Sequence, residues 1–305
     1  KIINNNKLLN IKKYGAIDIG SNAIRLLISN VIVKEGKEPQ FKKSSLVRVP
    51  IRLGADAFVT GIISEENTIR MINAMEAFKL LMKVHKVERY KACATSAMRE
   101  AKNGIEIANR ILDITGVQID IIGGKEEAAI ISSTNLNELI EGDNSYLYVD
   151  VGGGSTEFTV FAKGKIVNSK SFKMGTVRLL NNKKADNKEI FDDVEKWIKK
   201  TTKNLKGISL IGSGGNINRL FKMSGRTEGK PISFIYLNAQ YQFLKQMSYQ
   251  ERISELSLNP DRADVIIPAT KIYLSAMKWS RANKIYVPKI GLSDGIIKNL
   301  FYNKL

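Results

Sequence analysis

Asp18 and Asp150 each end an apolar, β-prone run, and each is followed at once by a turn of glycine and small polar residues. After Asp18 come Gly20, Ser21 and Asn22; after Asp150 come Gly152, Gly153, Gly154, Ser155 and Thr156. A further apolar or alternating run follows each turn, so both segments read as β-hairpins with glycine-rich tips. Aligning the two aspartates also aligns Gly20 with Gly152. A glycine tip exposes backbone N–H groups that wrap an anion such as phosphate, and two tips facing each other make a clamp. An aspartate at the end of the preceding strand does not bind phosphate itself. It holds a hydrated divalent cation between its carboxylate and phosphate oxygens. Asp18, Asp150 and Glu157, the last on the second hairpin, are therefore candidate cation ligands. Two ordinary tight turns are the plain alternative, and their matched register argues against it.

Three more clusters carry potential chemistry. Gly212, Gly214 and Gly215 follow an apolar strand and precede a helix-like stretch, which suggests phosphate or nucleotide contact. This is not a dinucleotide fingerprint, because Ile217 stands where a third glycine is required, and the second hairpin fails equally at Glu157. Gly123, Gly124 and Lys125 do not form a P-loop, since no Ser or Thr follows the lysine. Thr95, Ser96 and Arg99 offer hydroxyls and a guanidinium that can hold phosphate bidentately, although Arg99 alone reads equally as a surface ion-pair member. Glu126 and Glu127 open an Ala-rich helix, where acidic side chains commonly serve only as dipole partners.

Composition removes other chemistries. The 305 residues contain one cysteine, Cys93, and one histidine, His85, so an internal disulfide, a multi-histidine metal site and a clustered zinc site are excluded. Hydrolysis here must run on carboxylates. Cys93 reads as a buried apolar side chain and His85 as a solvated helix-end residue. Against 30 acidic residues stand 48 Lys and Arg, a net charge of +18, which points to an anionic partner. The densest basic stretch runs from Lys183 to Lys206 and reads equally as a solvated helix face. No segment is long and apolar enough to span a membrane and no signal-peptide core opens the chain, so a cytoplasmic protein is expected.

The elements that must position these residues alternate between strand and helix, an α/β pattern. Ser64 is expected to cap a helix whose apolar face is Ile69, Ile72, Met75, Phe78 and Met82. Strands are expected around Tyr90 to Ala94, Val117 to Ile122, 158–161, 165–172 and Ile208 to Ile211. Helices are expected near Ile105 to Ile114, 189–204, 238–248, 262–280 and 293–301, with Asn181 to Lys188 as a polar loop. The duplicated hairpins imply two similar domains, 1–135 and 136–305, joined by Leu136 to Asn144.

Taken in order, the segments Asp18 to Asn22, Ala94 to Arg99, Gly124 to Ala128, Asp150 to Glu157, Gly212 to Asn216 and Arg262 to Pro268 resemble the exopolyphosphatase/guanosine pentaphosphate phosphohydrolase (Ppx/GppA) family over nearly the whole chain. The resemblance implies two ribonuclease-H-like, actin- or sugar-kinase-like domains facing across a cleft, in the short two-domain form. It implies that Glu127 is the general base that positions the attacking water. Arg99, Ser21, Asn22, Gly153, Gly154 and Ser155 would hold phosphates, and Asp150 with Glu157 and Asp18 would hold Mg²⁺ or Mn²⁺. The implied activity is hydrolysis of the terminal phosphoanhydride of polyphosphate or of pppGpp. A non-catalytic sensor of polyphosphate or guanosine tetraphosphate and a kinase of the same superfold are the alternatives. Expected partners are thus polyphosphate or guanosine penta- and tetraphosphate, with no specific nucleic acid and no membrane; a homodimer is left open.

Overall fold

The computed structural model describes residues 10–134 and 144–305. The expected domain junction, Leu136 to Asn144, lies outside the described residues except for Asn144. Strands β1 (Asn10–Ile19), β2 (Ile24–Val33), β3 (Gln40–Val49), β4 (Arg89–Ala94) and β5 (Ile119–Ile121) form one sheet in the order β3-β2-β1-β4-β5. Strands β6 (Ser145–Val151), β7 (Thr156–Ala162), β8 (Lys165–Phe172), β9 (Ser209–Ser213), β10 (Ile232–Ser233) and β11 (Lys284–Tyr286) form the other, ordered β10-β11-β9-β6-β7-β8. Each sheet starts as an antiparallel three-strand meander and then adds two parallel strands beside the first strand, and the second sheet ends on the short antiparallel β10. That shared order is the ribonuclease-H-like arrangement implied by the family resemblance, which the two hairpins fit, and the fold is α/β throughout.

The first strand of each sheet is buried on both faces, as a central strand with parallel neighbours must be. Strand period then sorts its side chains. On β1, Ile17 and Ile19 enter a core with Leu26, Met71, Met75 and Phe78. On β6, Leu147, Val149 and Val151 enter the second core. Tyr14 and Ala16 of β1, with Tyr146 and Tyr148 of β6, point the other way into a third apolar layer that both sheets share.

Helices α1 (Leu53–Ala57), α2 (Glu65–Val84), α3 (Ser96–Glu100), α4 (Gly104–Thr115) and α5 (Gly124–Ser132) accompany the first sheet. Helices α6 (Thr176–Asn181), α7 (Lys184–Thr202), α8 (Gly215–Met223), α9 (Phe234–Gln246), α10 (Tyr249–Ser254), α11 (Pro260–Ala263) and α12 (Ile266–Ser280) follow, and α13 (Leu292–Phe301) closes the described chain. The last helix packs against β1, β2, β4 and α5, bringing Leu292, Ile296 and Ile297 into the shared layer. Gly295 is what lets it approach: a Cβ there would collide with the Ile130 carbonyl oxygen of α5.

Several elements differ from their expected bounds. Ser64 does cap α2, its hydroxyl accepting from the Asn67 N–H at 3.3 Å, but Ile69 is exposed and Met71 takes its place in the core. The expected polar loop Asn181 to Lys188 shrinks to two residues. Its lysine-rich sequence already belongs to α7, which buries only Val194, Ile198 and Thr202 and is otherwise solvated. The expected helix at 262–280 is two, interrupted at Asp264 and Val265. Cys93 is buried, and desolvation pushes its thiol up to about 12, so it is an inert core residue.

Candidate active site

The two tips are built alike. Four residues join β1 to β2 and four join β6 to β7, and the Gly20 N–H donates to the Ala23 carbonyl at 3.2 Å as the Gly152 N–H donates to that of Ser155 at 3.0 Å. The tips meet across the cleft. A Cβ on Gly153 would lie 2.8 Å from the Ser21 Cβ, so this approach requires glycine. Ser21 is in turn hydrogen-bonded to Ser96 at 3.0 Å. Around this contact lies a cavity of about 240 Å³, lined by both tips, both strand-end aspartates and the glycine turn after β9.

Five carboxylates line the cavity, and besides Asp294, which pairs with Lys43, they are Asp18, Glu127, Asp150 and Glu157, whose surroundings differ. Asp18 sits opposite Arg25 across the first hairpin and accepts from its guanidinium at 2.8 Å. Asp150 occupies the same place in the second hairpin, but opposite it stands Glu157. Burial, reinforced by the Glu157 charge, raises the Asp150 pKa to about 7. Burial likewise raises Glu157, whose Oε1 accepts from Ser155 at 2.7 Å and Ser171 at 2.9 Å; those bonds oppose the shift. Glu127 reaches the cavity from the first turn of α5. Burial, then the charges of Glu157, Asp150 and Asp18, hold its pKa well above the usual carboxylate range, and its Oε2 is buried with no hydrogen-bond partner among the described residues.

The opposite wall is basic. Arg48 pairs with Asp261, Lys43 with Asp294 and Lys289 with Glu228, so these cations are already neutralised. Arg262 has no ion pair among the described residues. Burial, followed by repulsion from Arg48 and Arg25, lowers its pKa to about 10.

The other expected site residues divide. Ser21, Asn22, Thr95, Ser96, Gly152, Gly153, Ser155, Gly214 and Gly215 line the cavity with Asp18, Glu127, Asp150 and Glu157. Gly154, Thr156, Gly212 and Arg99 do not. Gly154 abuts Phe58, and its carbonyl accepts from Arg178. Thr156 is fully buried and donates to the Met174 carbonyl. Gly212 lies within β9, where a Cβ would come 2.8 Å from Ile285. Arg99 donates to the Ile122 carbonyl at 2.6 Å and faces a neighbouring cavity. Sequence reasoning missed Arg25, although it stands as far beyond Asp18 as Glu157 does beyond Asp150. It also missed Ser171 and Arg48, which lie in strands with no motif.

Among the described residues no three or more His, Cys, Asp or Glu side chains stand close enough to hold a metal ion unaided. Magnesium usually keeps several waters and needs only one or two carboxylates besides phosphate oxygens. Asp150 and Glu157 fit that demand, being paired across the hairpin and desolvated by burial, with no ion pair of their own among the described residues. Asp18 fits less well, because Arg25 already neutralises it.

The profile of the Ppx/GppA phosphatase family matches residues 32–303. A bifunctional 3-dehydroquinate synthase/phosphatase of Fusobacterium nucleatum is 29% identical over 285 residues, covering 84% of this chain and 42% of that protein. Exopolyphosphatase 2 of Mycobacterium tuberculosis is 32% identical over 174 residues, covering 55% of this chain and 54% of its own. The chain thus spans about half the length of these curated relatives. Among solved structures, the Aquifex aeolicus Ppx/GppA family member superposes with a TM-score of 0.77 at 25% identity, over 97% of this chain and 99% of that one. An exopolyphosphatase from Cytophaga hutchinsonii shares the fold with a TM-score of 0.84 at 24% identity, over 96% and 98%. The extent of the profile match, which covers most of the chain and the second of the two hairpins, makes this chain a member of the Ppx/GppA phosphatase family.

Proposed function

We propose that the protein is a divalent-metal-dependent phosphohydrolase that removes the terminal phosphate of polyphosphate or of pppGpp. The observation that carries the reading is Glu127: a carboxylate with an unpartnered, buried oxygen, aimed into the cavity where two phosphate-cradling tips meet. The relatives' names, exopolyphosphatase and phosphatase, support the same chemistry.

The chain's own residues divide the work. Backbone N–H groups of the two tips cradle the terminal phosphate, with Ser21 and Ser155 beside them. Arg262 attracts the anionic remainder of the substrate. Glu127 orients a water molecule and takes its proton as the water oxygen bonds to the terminal phosphorus. The bridging P–O bond breaks, and its electron pair stays on the shortened chain, leaving orthophosphate. Burial and the neighbouring carboxylates raise the pKa of Glu127, which makes it a stronger proton acceptor than an ordinary carboxylate. Mg²⁺ or Mn²⁺ held by Asp150 and Glu157 would neutralise charge on the phosphate oxygens.

The test is phosphate release from long-chain polyphosphate and, separately, from pppGpp, with and without Mg²⁺, for wild type and Glu127→Gln. The variant is expected to lose about two to four orders of magnitude in turnover while retaining substrate binding. Undiminished turnover would remove Glu127 from the mechanism. Tight binding with no release by wild type would indicate a sensor instead.

A further inference from the structure

A second cavity, of about 760 Å³, lies beside the first and shares Ser155 and Glu157 with it as a common wall. Its lining is basic, with Arg99, Lys125, Lys170 and Lys173 set against only Glu100 and Glu157. Hydroxyls of Ser132, Ser169 and Ser171 add polar contacts. Two of the cations are lightly engaged: Lys173 stands 3.4 Å from Glu100, and Lys170 lies over the Phe172 ring at 4.5 Å. The floor is α5, the helix that carries Glu127, through Gly124, Lys125, Ala128 and Ala129. Gly124 packs closely on Ser171 of β8, where a Cβ would lie 3.2 Å from the serine Cβ.

In-line displacement gives the two cavities different duties. The attacking water must stand opposite the bridging oxygen, so the substrate chain extends to one side of the terminal phosphorus and the water to the other. The first cavity holds both glycine tips and Arg262, and so has the groups for the chain. The second opens beyond the Glu157 wall and along the helix that carries the water-orienting Glu127. We infer that this second cavity is an orthophosphate exit, a basic vestibule that receives the cleaved phosphate while the shortened chain stays in the first. The inference rests on the hydrolase reading above. A small dianion suits a vestibule lined by lysines and hydroxyls, where Lys acts as a mobile point charge. It also removes a steric conflict, since product leaving through the first cavity would have to pass the chain that still occupies it.

Lys170 and Lys173 provide the test, being exposed on and just after an edge strand and outside the catalytic set. Inhibition of polyphosphate hydrolysis by added orthophosphate is measured for wild type, for Lys170→Glu/Lys173→Glu and for the milder Lys170→Gln/Lys173→Gln. Orthophosphate binding to the resting proteins is measured by calorimetry. The charge reversal is expected to weaken phosphate inhibition and phosphate binding about tenfold, and the neutral pair about threefold, with the KM for polyphosphate within twofold of wild type. Unchanged phosphate inhibition with normal turnover would overturn the exit alone. A KM for polyphosphate that rises in step with the phosphate constant would also overturn it, by making the vestibule an entrance for the chain. If wild type hydrolyses neither polyphosphate nor pppGpp, the hydrolase reading fails, and the exit fails with it.

Discussion

The two hairpins share loop length, a tip hydrogen bond, strand pairing and sheet position, yet they present opposite electrostatics at one pair of residues. Across the first, Asp18 faces Arg25; across the second, Asp150 faces Glu157. The first pair closes on itself as an ion pair, which suits a wall that shapes the cavity. The second leaves two buried carboxylates side by side, with Asp150 raised to about 7. Folding does not benefit from that arrangement, since burying like charges opposes the ionised form of both. It is the kind of local cost expected where a bound cation is to be held. The two hairpins thus share one backbone plan, and the residue opposite the strand-end aspartate, Arg25 in one and Glu157 in the other, separates an internally paired copy from the one proposed to hold the cation.

The largest effect should come from the second pair. Glu157→Gln keeps an oxygen to accept from Ser155 and Ser171 but removes a negative charge. Turnover with Mg²⁺ is expected to fall about 10²–10³-fold, with a rise in the Mg²⁺ concentration needed for half-activation. Asp18→Asn, in the equivalent hairpin, should cost about tenfold or less with unchanged metal demand. Equal losses and equal metal shifts in the two variants, measured by phosphate release over a Mg²⁺ titration, would erase the asymmetry.

Next in size is the contact between the tips. Gly153→Ala places a methyl 2.8 Å from the Ser21 Cβ, against two backbones fixed by their hairpins. Gly20→Ala meets the Ala23 carbonyl oxygen at 3.2 Å and Asp18 Oδ1 at an ordinary 4.0 Å. The first should reduce kcat/KM by about 10–100-fold and the second by only a few fold, because misplacing a phosphate cradle by about an ångström is costly in phosphoryl transfer. A steady-state comparison in which Gly20→Ala is the worse variant would show that the clamp does not depend on the tips touching.

What the sequence disclosed follows from the same contrast. Glycine tips and strand-end aspartates are local signals, dictated by turn geometry, and both hairpins were readable from them. The duplicated sheet order followed, because two such hairpins in register imply two like domains. The placement of Glu127 was not local: alone it is an acidic residue at a helix start, and only tertiary packing leaves its Oε2 buried and without a partner among the described residues. Arg99 shows the limit of a local reading from the other side. Its segment matches the family, yet its guanidinium is bound to the Ile122 carbonyl and turned toward the second cavity. Arg48 was invisible because β3 is a mostly exposed edge strand without periodic apolar signal, and its partner Asp261 lies in the other half of the chain. Thr156 and Gly212 sit in recognisable motifs, but their environments show packing roles, a hydrogen bond to Met174 and close contact with Ile285.

The smallest effect sharpens the comparison through stability. Asp150 has an ordinary pKa of 3.8 and a folded-state value of about 7, so the fold disfavours its ionised form. Its contribution to stability is fully present below pH 3.8 and is lost as pH rises through about 7. Asp150→Asn does not titrate and escapes that loss. In chelator-treated protein, its Tm should match that of wild type near pH 4 and exceed it by a few degrees at pH 8. Asp18→Asn should behave oppositely, losing an ion pair and lowering Tm slightly at pH 8. Thermal unfolding followed from pH 4 to pH 8 checks both. Added Mg²⁺ should then stabilise wild type but not Asp150→Asn at pH 8, since a cation that binds the folded state alone raises its stability. If Asp150→Asn were instead the less stable protein at pH 8 without metal, the second carboxylate would already have its counter-charge within the fold, and the two hairpins would be electrostatic equals.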